Sequence, residues 1–291
     1  DDQRVRFSFE EVEDLQEHED ARGPDGPAGE LDAEPQAEEG ELALSARTRL
    51  GRAKLRALAR LRPRFLAVVP DLLDEAREFL GDVPIELLPN GVDAERYAPV
   101  PPERRRALRA ELEWDAGSPV FLYTGRFSPE KRLPWFLRLW RAAVPRGLAV
   151  LVGEGPERAA LAAEAAAAPG RVLILPPRED LERLYAAADV FFLPSTSEGL
   201  SNSLLEAMSS GLAPLASAVG GTAQTLEDGR TGLLFGRDDE AGLRAAARRL
   251  AVEPGLAARL GAAARDLVLE RYALPRVLDR LEALYRGERR L

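Results

Sequence analysis

From residue 118 onward, short apolar runs alternate with longer stretches rich in Ala and Leu, and this alternation limits the available folds more than any other feature. The runs 120–124, 148–152, 172–175, 190–193, 213–217 and 233–235 are almost wholly apolar. A strand with one wet face alternates polar and apolar residues, so continuous apolar runs predict a sheet covered on both sides. Strand, helix and strand in repetition predict an α/β fold: a Rossmann-like parallel sheet flanked by helices. Ligands of such sheets gather at the carboxyl ends of the strands. Residues 243–250 and 256–271 read as packing helices, and 274–286 as a final amphipathic helix ending near Gly287. There is no internal repeat.

Composition removes several chemistries. With 291 residues, 45% of them hydrophobic, the chain can bury a substantial core. It has no cysteine and one histidine, His18. That excludes disulfides, thiolate metal sites, a cysteine nucleophile and a Ser-His-Asp triad. No Gly-x-Gly-x-x-Gly follows the strand at 120–124, which argues against a dinucleotide-dependent dehydrogenase. No apolar run approaches the roughly 18 residues of a membrane span, and the start has neither a Met nor a signal-peptide core. The expectation is a cytoplasmic protein lacking some upstream residues.

Charge is unevenly placed. Residues 1–40 hold 15 acidic and 3 basic side chains, and the remainder is slightly basic. This acidic leader offers few apolar groups to offset ordering entropy and is expected to be disordered. Next, residues 41–64 interleave eight Arg and Lys with leucines, as in a basic amphipathic helix. Two readings stay open: peripheral contact with an anionic membrane, or a surface helix packed on its leucines.

The loops after the strands repeat one chemistry. Gly125-Arg126 and, five residues on, Lys131 offer a close backbone approach and two cations that could converge on one anion. Gly153-Glu154-Gly155-Pro156 follows the next strand, where a plain turn explains the glycines equally well, and Pro156 suits a first helical turn. After 190–193 come Pro194-Ser195 and two carboxylates eight apart, Glu198 and Glu206, on a loop entering a helix. Ser203 with Glu206 also fits an ordinary capping box. A helix start presents free amides and a positive dipole end to phosphate, and a carboxylate can accept both hydroxyls of a ribose.

Together, Pro89-Asn90-Gly91-Val92-Asp93, Gly125-Arg126 with Lys131, Gly153-Glu154-Gly155, Leu184-Tyr185-Ala186-Ala187-Ala188-Asp189, Pro194-Ser195 with Glu198-Gly199 and Glu206-Ala207-Met208, Gly220-Gly221, and Asp228-Gly229-Arg230-Thr231-Gly232 resemble the retaining glycosyltransferases of family 4, which have the GT-B fold. The resemblance spans about residues 64 to 287. It implies the C-terminal, donor-binding half of a GT-B fold and a nucleotide-diphosphate sugar as donor substrate. Glu198 would lie near the transferred sugar, and Glu206 on the ribose. Arg126 and Lys131 would neutralise the diphosphate in place of a metal, so no cofactor is expected. Gly125 and the backbone around Gly199, Leu200, Ser201, Asn202 and Ser203 would cradle the donor, and Arg178 belongs to the base-contacting loop. The implied reaction transfers the sugar with retention of configuration.

Two positions depart from the family pattern: Arg132 stands where a Gly usually follows the motif Lys, and Gln224 where a Glu is usual. The expected organisation is a leader at 1–40, a remnant of the N-terminal acceptor domain and linker at 41–92 with a strand at 65–69, the Rossmann-like domain at 93–272, and a C-terminal helix at 273–291. A shortened acceptor half predicts exposed apolar surface, weak activity of this chain alone, and an acceptor domain elsewhere on the gene or on a partner chain. The acceptor, whether glycan, lipid or small molecule, is not legible, and no nucleic-acid partner is expected. Two functions stay open: the donor-binding part of a glycosyltransferase, or a non-catalytic nucleotide-sugar-binding or interaction module.

Overall fold

The computed structural model describes residues 65–70, 73, 77 and 84–286. The acidic leader with His18 and the basic segment 41–64 lie outside the described residues.

Two short strands open the described chain, β1 (Phe65–Ala67) and β2 (Ile85–Leu87), paired in parallel with Phe65 opposite Ile85. β1 ends two residues before the end of the strand expected at 65–69. A helix α1 (Pro102–Glu111) follows, with proline at its first position, where the missing N–H costs nothing. The main sheet then forms from β3 (Val120–Thr124), β4 (Leu148–Val152), β5 (Val172–Leu175), β6 (Val190–Leu193), β7 (Ala213–Ser217) and β8 (Leu233–Phe235). Between them run α2 (Leu133–Ala143), α3 (Arg158–Ala166), α4 (Leu181–Ala187), α5 (Asn202–Ser209) and α6 (Gly220–Thr225). The chain closes with α7 (Glu240–Val252), α8 (Leu256–Arg271) and α9 (Leu274–Arg286).

All neighbouring strands of the main sheet are parallel, in the order β5-β4-β3-β6-β7-β8. The chain therefore winds outward from β3 to β5, returns to the middle at β6, and winds outward on the other side. Such an order opens a crevice where the winding reverses, here beyond the carboxyl ends of β3 and β6. Every residue of β3, β4, β6 and β7 is buried, which is why those runs carry no polar alternation.

The core is aromatic at its centre. Phe136 of α2 stacks on Phe192 of β6 with ring centroids 4.0 Å apart, and Trp140 meets Phe121 edge to face at 5.7 Å. At the amino ends of the strands, Asp189 accepts from Arg109 Nη2 at 2.6 Å and from the Val120 amide at 2.8 Å, and pairs with Arg105. It thereby ties the start of β3 to the α4–β6 corner, far along the strands from the crevice.

Val92 crosses beside the start of α9: its amide donates to the Tyr272 carbonyl at 2.8 Å, and its carbonyl accepts from Leu274 at 2.9 Å. Leu274, Leu278 and Tyr285 leave apolar surface exposed along α9. Among the described residues, no helix is long and apolar enough to cross a membrane.

Candidate functional site

The loops at the crevice are held by backbone contacts that only glycine permits. Gly153, at φ 151°, lies so close to the loop after β3 that a Cβ would sit 1.9 Å from the Gly125 carbonyl oxygen. The Phe127 amide donates to the Glu154 carbonyl at 2.7 Å, locking the loops after β3 and β4 together. These glycines thus do more than form a plain turn. Pro156 precedes α3 in the turn that leads to it, and Glu157 stands at the N-cap position without a side-chain capping bond. On the other side of the crevice, Cβ atoms on Gly220 and Gly221 would meet the carbonyl oxygens of Glu198 and Gly199 at 2.3 and 2.4 Å. The Gly221 amide donates to the Glu198 carbonyl at 2.9 Å, so the double glycine supports the turn carrying Glu198.

Lys131 closes a short 3-10 turn (Pro129–Lys131), and its Nζ donates to Glu198 Oε1 at 2.7 Å. The buried Ser195 hydroxyl donates to the same oxygen at 2.6 Å. Glu198 Oε2 has no hydrogen-bond partner among the described residues. Arg126 is exposed; its carbonyl accepts from the Tyr123 hydroxyl at 2.8 Å, and its guanidinium makes no hydrogen bond or ion pair among the described residues. The two cations thus differ in surroundings: the Lys131 ammonium is engaged with Glu198, whereas the Arg126 guanidinium is exposed at the cleft. Arg132 adopts the left-handed conformation, φ 51°, which explains why glycine would suit this position. Its guanidinium lies 4.0 Å from the Trp135 ring centroid and donates to the Arg237 carbonyl at 2.6 Å and to Asp238 at 2.9 Å.

A cleft of about 360 Å³ opens beyond β3, β4 and β5, with Thr124, Gly125, Arg126, Gly153, Pro177 and Arg178 among its lining. Arg178 forks onto Asp180 with bonds of 2.6 and 2.7 Å, which raises the guanidinium pKa and holds the Asp180 carboxyl below its usual range. That pair fixes the loop over the cleft.

The helix that follows Glu198 starts otherwise than a capping box at Ser203 predicts. Ser201 is the cap of α5, its hydroxyl accepting from the Leu204 amide at 3.3 Å, while Ser203 Oγ lies 3.0 Å from Ser201 Oγ. Leu204 stands three residues after that cap, so no carboxylate reaches back to it, and Glu206 turns inward instead. Its Oε2 accepts from the buried Tyr185 hydroxyl at 2.9 Å, and the Tyr97 hydroxyl lies near enough to steady its charge. Burial raises the Glu206 pKa despite these two hydroxyls and the nearby Arg96. Burial and the Glu206 charge push Tyr97 up to about 12.

Glu206 and Asn202 line a second cleft of about 300 Å³ with Asn90, Gly91, Val92, Asp93 and Tyr97. Asn90 Nδ2 donates to Asn202 Oδ1 at 2.9 Å and to the Leu200 carbonyl at 3.3 Å, joining the segment before Val92 to the α5 entry. Leu200 buries its side chain in the core, and Gly199 is exposed. Asn90 stood in the sequence as a motif member without a role, and Tyr97 belongs to no pattern that sequence reasoning could use. Among the described residues, no three His, Cys, Asp or Glu side chains gather to hold a metal ion.

Comparison with known proteins adds an independent line. Residues 118–252 match the family described as glycosyl transferases group 1. The chain is 38% identical over 164 residues to D-inositol 3-phosphate glycosyltransferase of Nocardia farcinica, a match covering 52% of this chain and 36% of that protein. It is 28% identical over 218 residues to alpha-maltose-1-phosphate synthase of Mycolicibacterium smegmatis, covering 69% and 56% respectively. The chain thus spans between about a third and somewhat over half of the length of these curated relatives. Sucrose-phosphate synthase of Thermosynechococcus elongatus superposes with a TM-score of 0.69 at 26% identity, over 81% of this chain and 61% of that one.

Proposed function

We propose that this chain, which belongs to the group 1 glycosyl transferases through residues 118–252, is the donor-binding part of an enzyme that moves a sugar from a nucleotide-diphosphate sugar to an acceptor with retention of configuration. In this reading residues 93–272 hold the donor. The observation that carries it is the placement of Arg126, the Lys131–Glu198 pair and the α5 entry around one crevice, at the carboxyl ends of β3 and β6.

The base enters the cleft between Gly153, Pro177 and Arg178, and the ribose hydroxyls meet Glu206. The diphosphate lies against Arg126, Lys131 and the amides at the start of α5, where a helix leaves N–H groups without internal acceptors. An ammonium carries three donors, so Lys131 keeps Glu198 with one and offers another to phosphate. Fixed cations stabilise the charge that develops on the departing nucleoside diphosphate, and we assign no metal to that role. Glu198, with Oε1 tied down, turns its other oxygen to hydroxyls of the transferred sugar. The same-face course of reaction rests on the family. The acceptor, whether glycan, lipid or small molecule, is met by parts of the protein beyond this site.

A cytoplasmic location is part of this proposal. Any peripheral membrane contact would come from the basic segment 41–64. The test is calorimetric titration with UDP, GDP and ADP beside the Arg126→Ala/Lys131→Ala double variant. One nucleotide should bind saturably, with binding lost in the variant. Equal binding by both proteins would overturn the assignment of the diphosphate site.

A further inference from the structure

Among the polar groups packed inside the fold, one set connects the two clefts. Tyr185 sits in α4 with its side chain wholly buried. Its hydroxyl donates to Glu206 Oε2 at 2.9 Å, lies 3.3 Å from the Ser203 carbonyl, and hydrogen-bonds the Thr124 hydroxyl. Thr124, the last residue of β3, lines the cleft that contains Arg126 and Arg178, whereas Glu206 lines the cleft that contains Asn90 and Tyr97. The ring of Tyr97 meets that of Tyr185 edge to face at 5.7 Å.

Proton counting orders this chain. A phenol has one proton, and an ionised carboxylate only accepts. When Glu206 is ionised, the Tyr185 proton goes to Glu206, so the Thr124 hydroxyl must donate to the Tyr185 oxygen. Hydrogen bonds in series polarise one another, and a buried one has few alternative geometries. The carboxylate is thus gripped at Oε2 from inside the core, and its remaining acceptor capacity faces the cleft.

We infer that Tyr185, backed by Thr124, is a positioning residue that holds the Glu206 carboxylate oriented for the paired hydroxyls of a ribose. The inference rests on the proposed nucleotide-sugar site. It makes recognition of the sugar ring of the nucleotide depend on a residue that never touches the ligand. The titratable and charged groups around Glu206 are Tyr185 of α4, Tyr97 and Arg96 of the segment before α1, and Asp93, which lines the same cleft. Burial raises the Glu206 pKa and the Tyr185 hydroxyl lowers it, so removal of that hydroxyl moves the carboxyl further up.

The experiment compares the full chain with its Tyr185→Phe and Thr124→Val variants by calorimetry. The probes are the tightest-binding of UDP, GDP and ADP and its 2′,3′-dideoxy counterpart, each across a pH series. The unaltered chain should prefer the ribonucleotide by about tenfold or more, the strength of a hydrogen bond to a charged group. Tyr185→Phe should bring that preference to within about threefold and leave dideoxynucleotide affinity unchanged, with Thr124→Val moving the same way by less. Ribonucleotide affinity should fall as pH is lowered through the titration of Glu206, and the fall should begin at higher pH in Tyr185→Phe. Equal weakening of both probes, or of neither, would overturn the inference while leaving the nucleotide site in place. An unaltered chain that binds nucleotide without preferring ribose would also overturn it. Failure of the unaltered chain to bind any nucleotide would overturn the site itself, and this inference with it.

Discussion

Arg126 and Lys131 are both motif cations, yet their surroundings predict different consequences when each is removed. The Arg126 guanidinium is exposed without a hydrogen bond or ion pair among the described residues, so Arg126→Ala should change folding stability by less than about 0.5 kcal/mol. Nucleotide affinity should nevertheless drop by about ten- to a hundredfold, because a charge-assisted contact to phosphate is lost. Lys131→Ala leaves the mostly buried Glu198 carboxylate with the Ser195 hydroxyl alone. It should cost about 1–3 kcal/mol of stability in addition to affinity, as measured by urea unfolding. Glu206 runs the other way. Its folded-state pKa lies above the unfolded one, so the unfolded chain releases this proton more readily and the group lowers stability as pH rises through that window. Glu206→Gln should therefore raise the melting temperature at neutral pH while weakening nucleotide binding. A melting temperature that falls at neutral pH would show that the carboxylate contributes to the fold through its tyrosine contacts more than its burial costs.

At the scale of elements, the loops depend on glycines whose roles differ. At Gly153 a side chain would collide with the backbone of the loop after β3, whereas Gly229, at φ 73°, has nothing within 4 Å of an added Cβ. Gly153→Ala should therefore destabilise by roughly 3 kcal/mol or more, and Gly229→Ala by about 1 kcal/mol, the cost of the left-handed region alone. Thermal unfolding of the two variants checks the ordering. Arg132 occupies that region already, and Arg132→Gly should shift stability by no more than about 1 kcal/mol, since relief of backbone strain offsets the lost contacts to Trp135 and Asp238. The six strands of the main sheet were legible in the sequence because burial leaves their runs almost wholly apolar, with Thr124 and Ser217 as polar ends of β3 and β7. α8 and α9 were legible by a different signal, apolar residues recurring at helical spacing among charged ones. The start of α5 was less legible: Ser201 and Ser203 offer equivalent hydroxyls two residues apart, and only the backbone decides which one caps. The reason for Gly220 and Gly221 was hidden too, because it lies in a contact with Glu198 and Gly199 some twenty residues away in sequence. Tyr97 reaches Glu206 across more than one hundred residues of chain and gives no local signal.

Across the whole described fold, the reversal of strand order between β3 and β6 determines where chemistry can occur. The residues that could be picked out by type, Gly125, Arg126, Lys131, Arg178, Glu198 and Glu206, all follow strands or enter helices on that side of the sheet. Asp189, equally prominent as a motif residue, lies at the other end and serves the packing of α1, α4 and β3. In the proposed reading, one nucleotide-diphosphate sugar bridges the crevice, with its base near Arg178, its ribose on Glu206, its diphosphate between Arg126, Lys131 and α5, and its sugar at Glu198. The most direct measurement is a crystal structure of the full chain with the nucleotide sugar whose nucleoside diphosphate binds best. Phosphate oxygens should lie within hydrogen-bond distance of Arg126 and Lys131, and ribose hydroxyls on Glu206. A ligand seated elsewhere, or a ribose turned away from Glu206 with the diphosphate free of both cations, would contradict it.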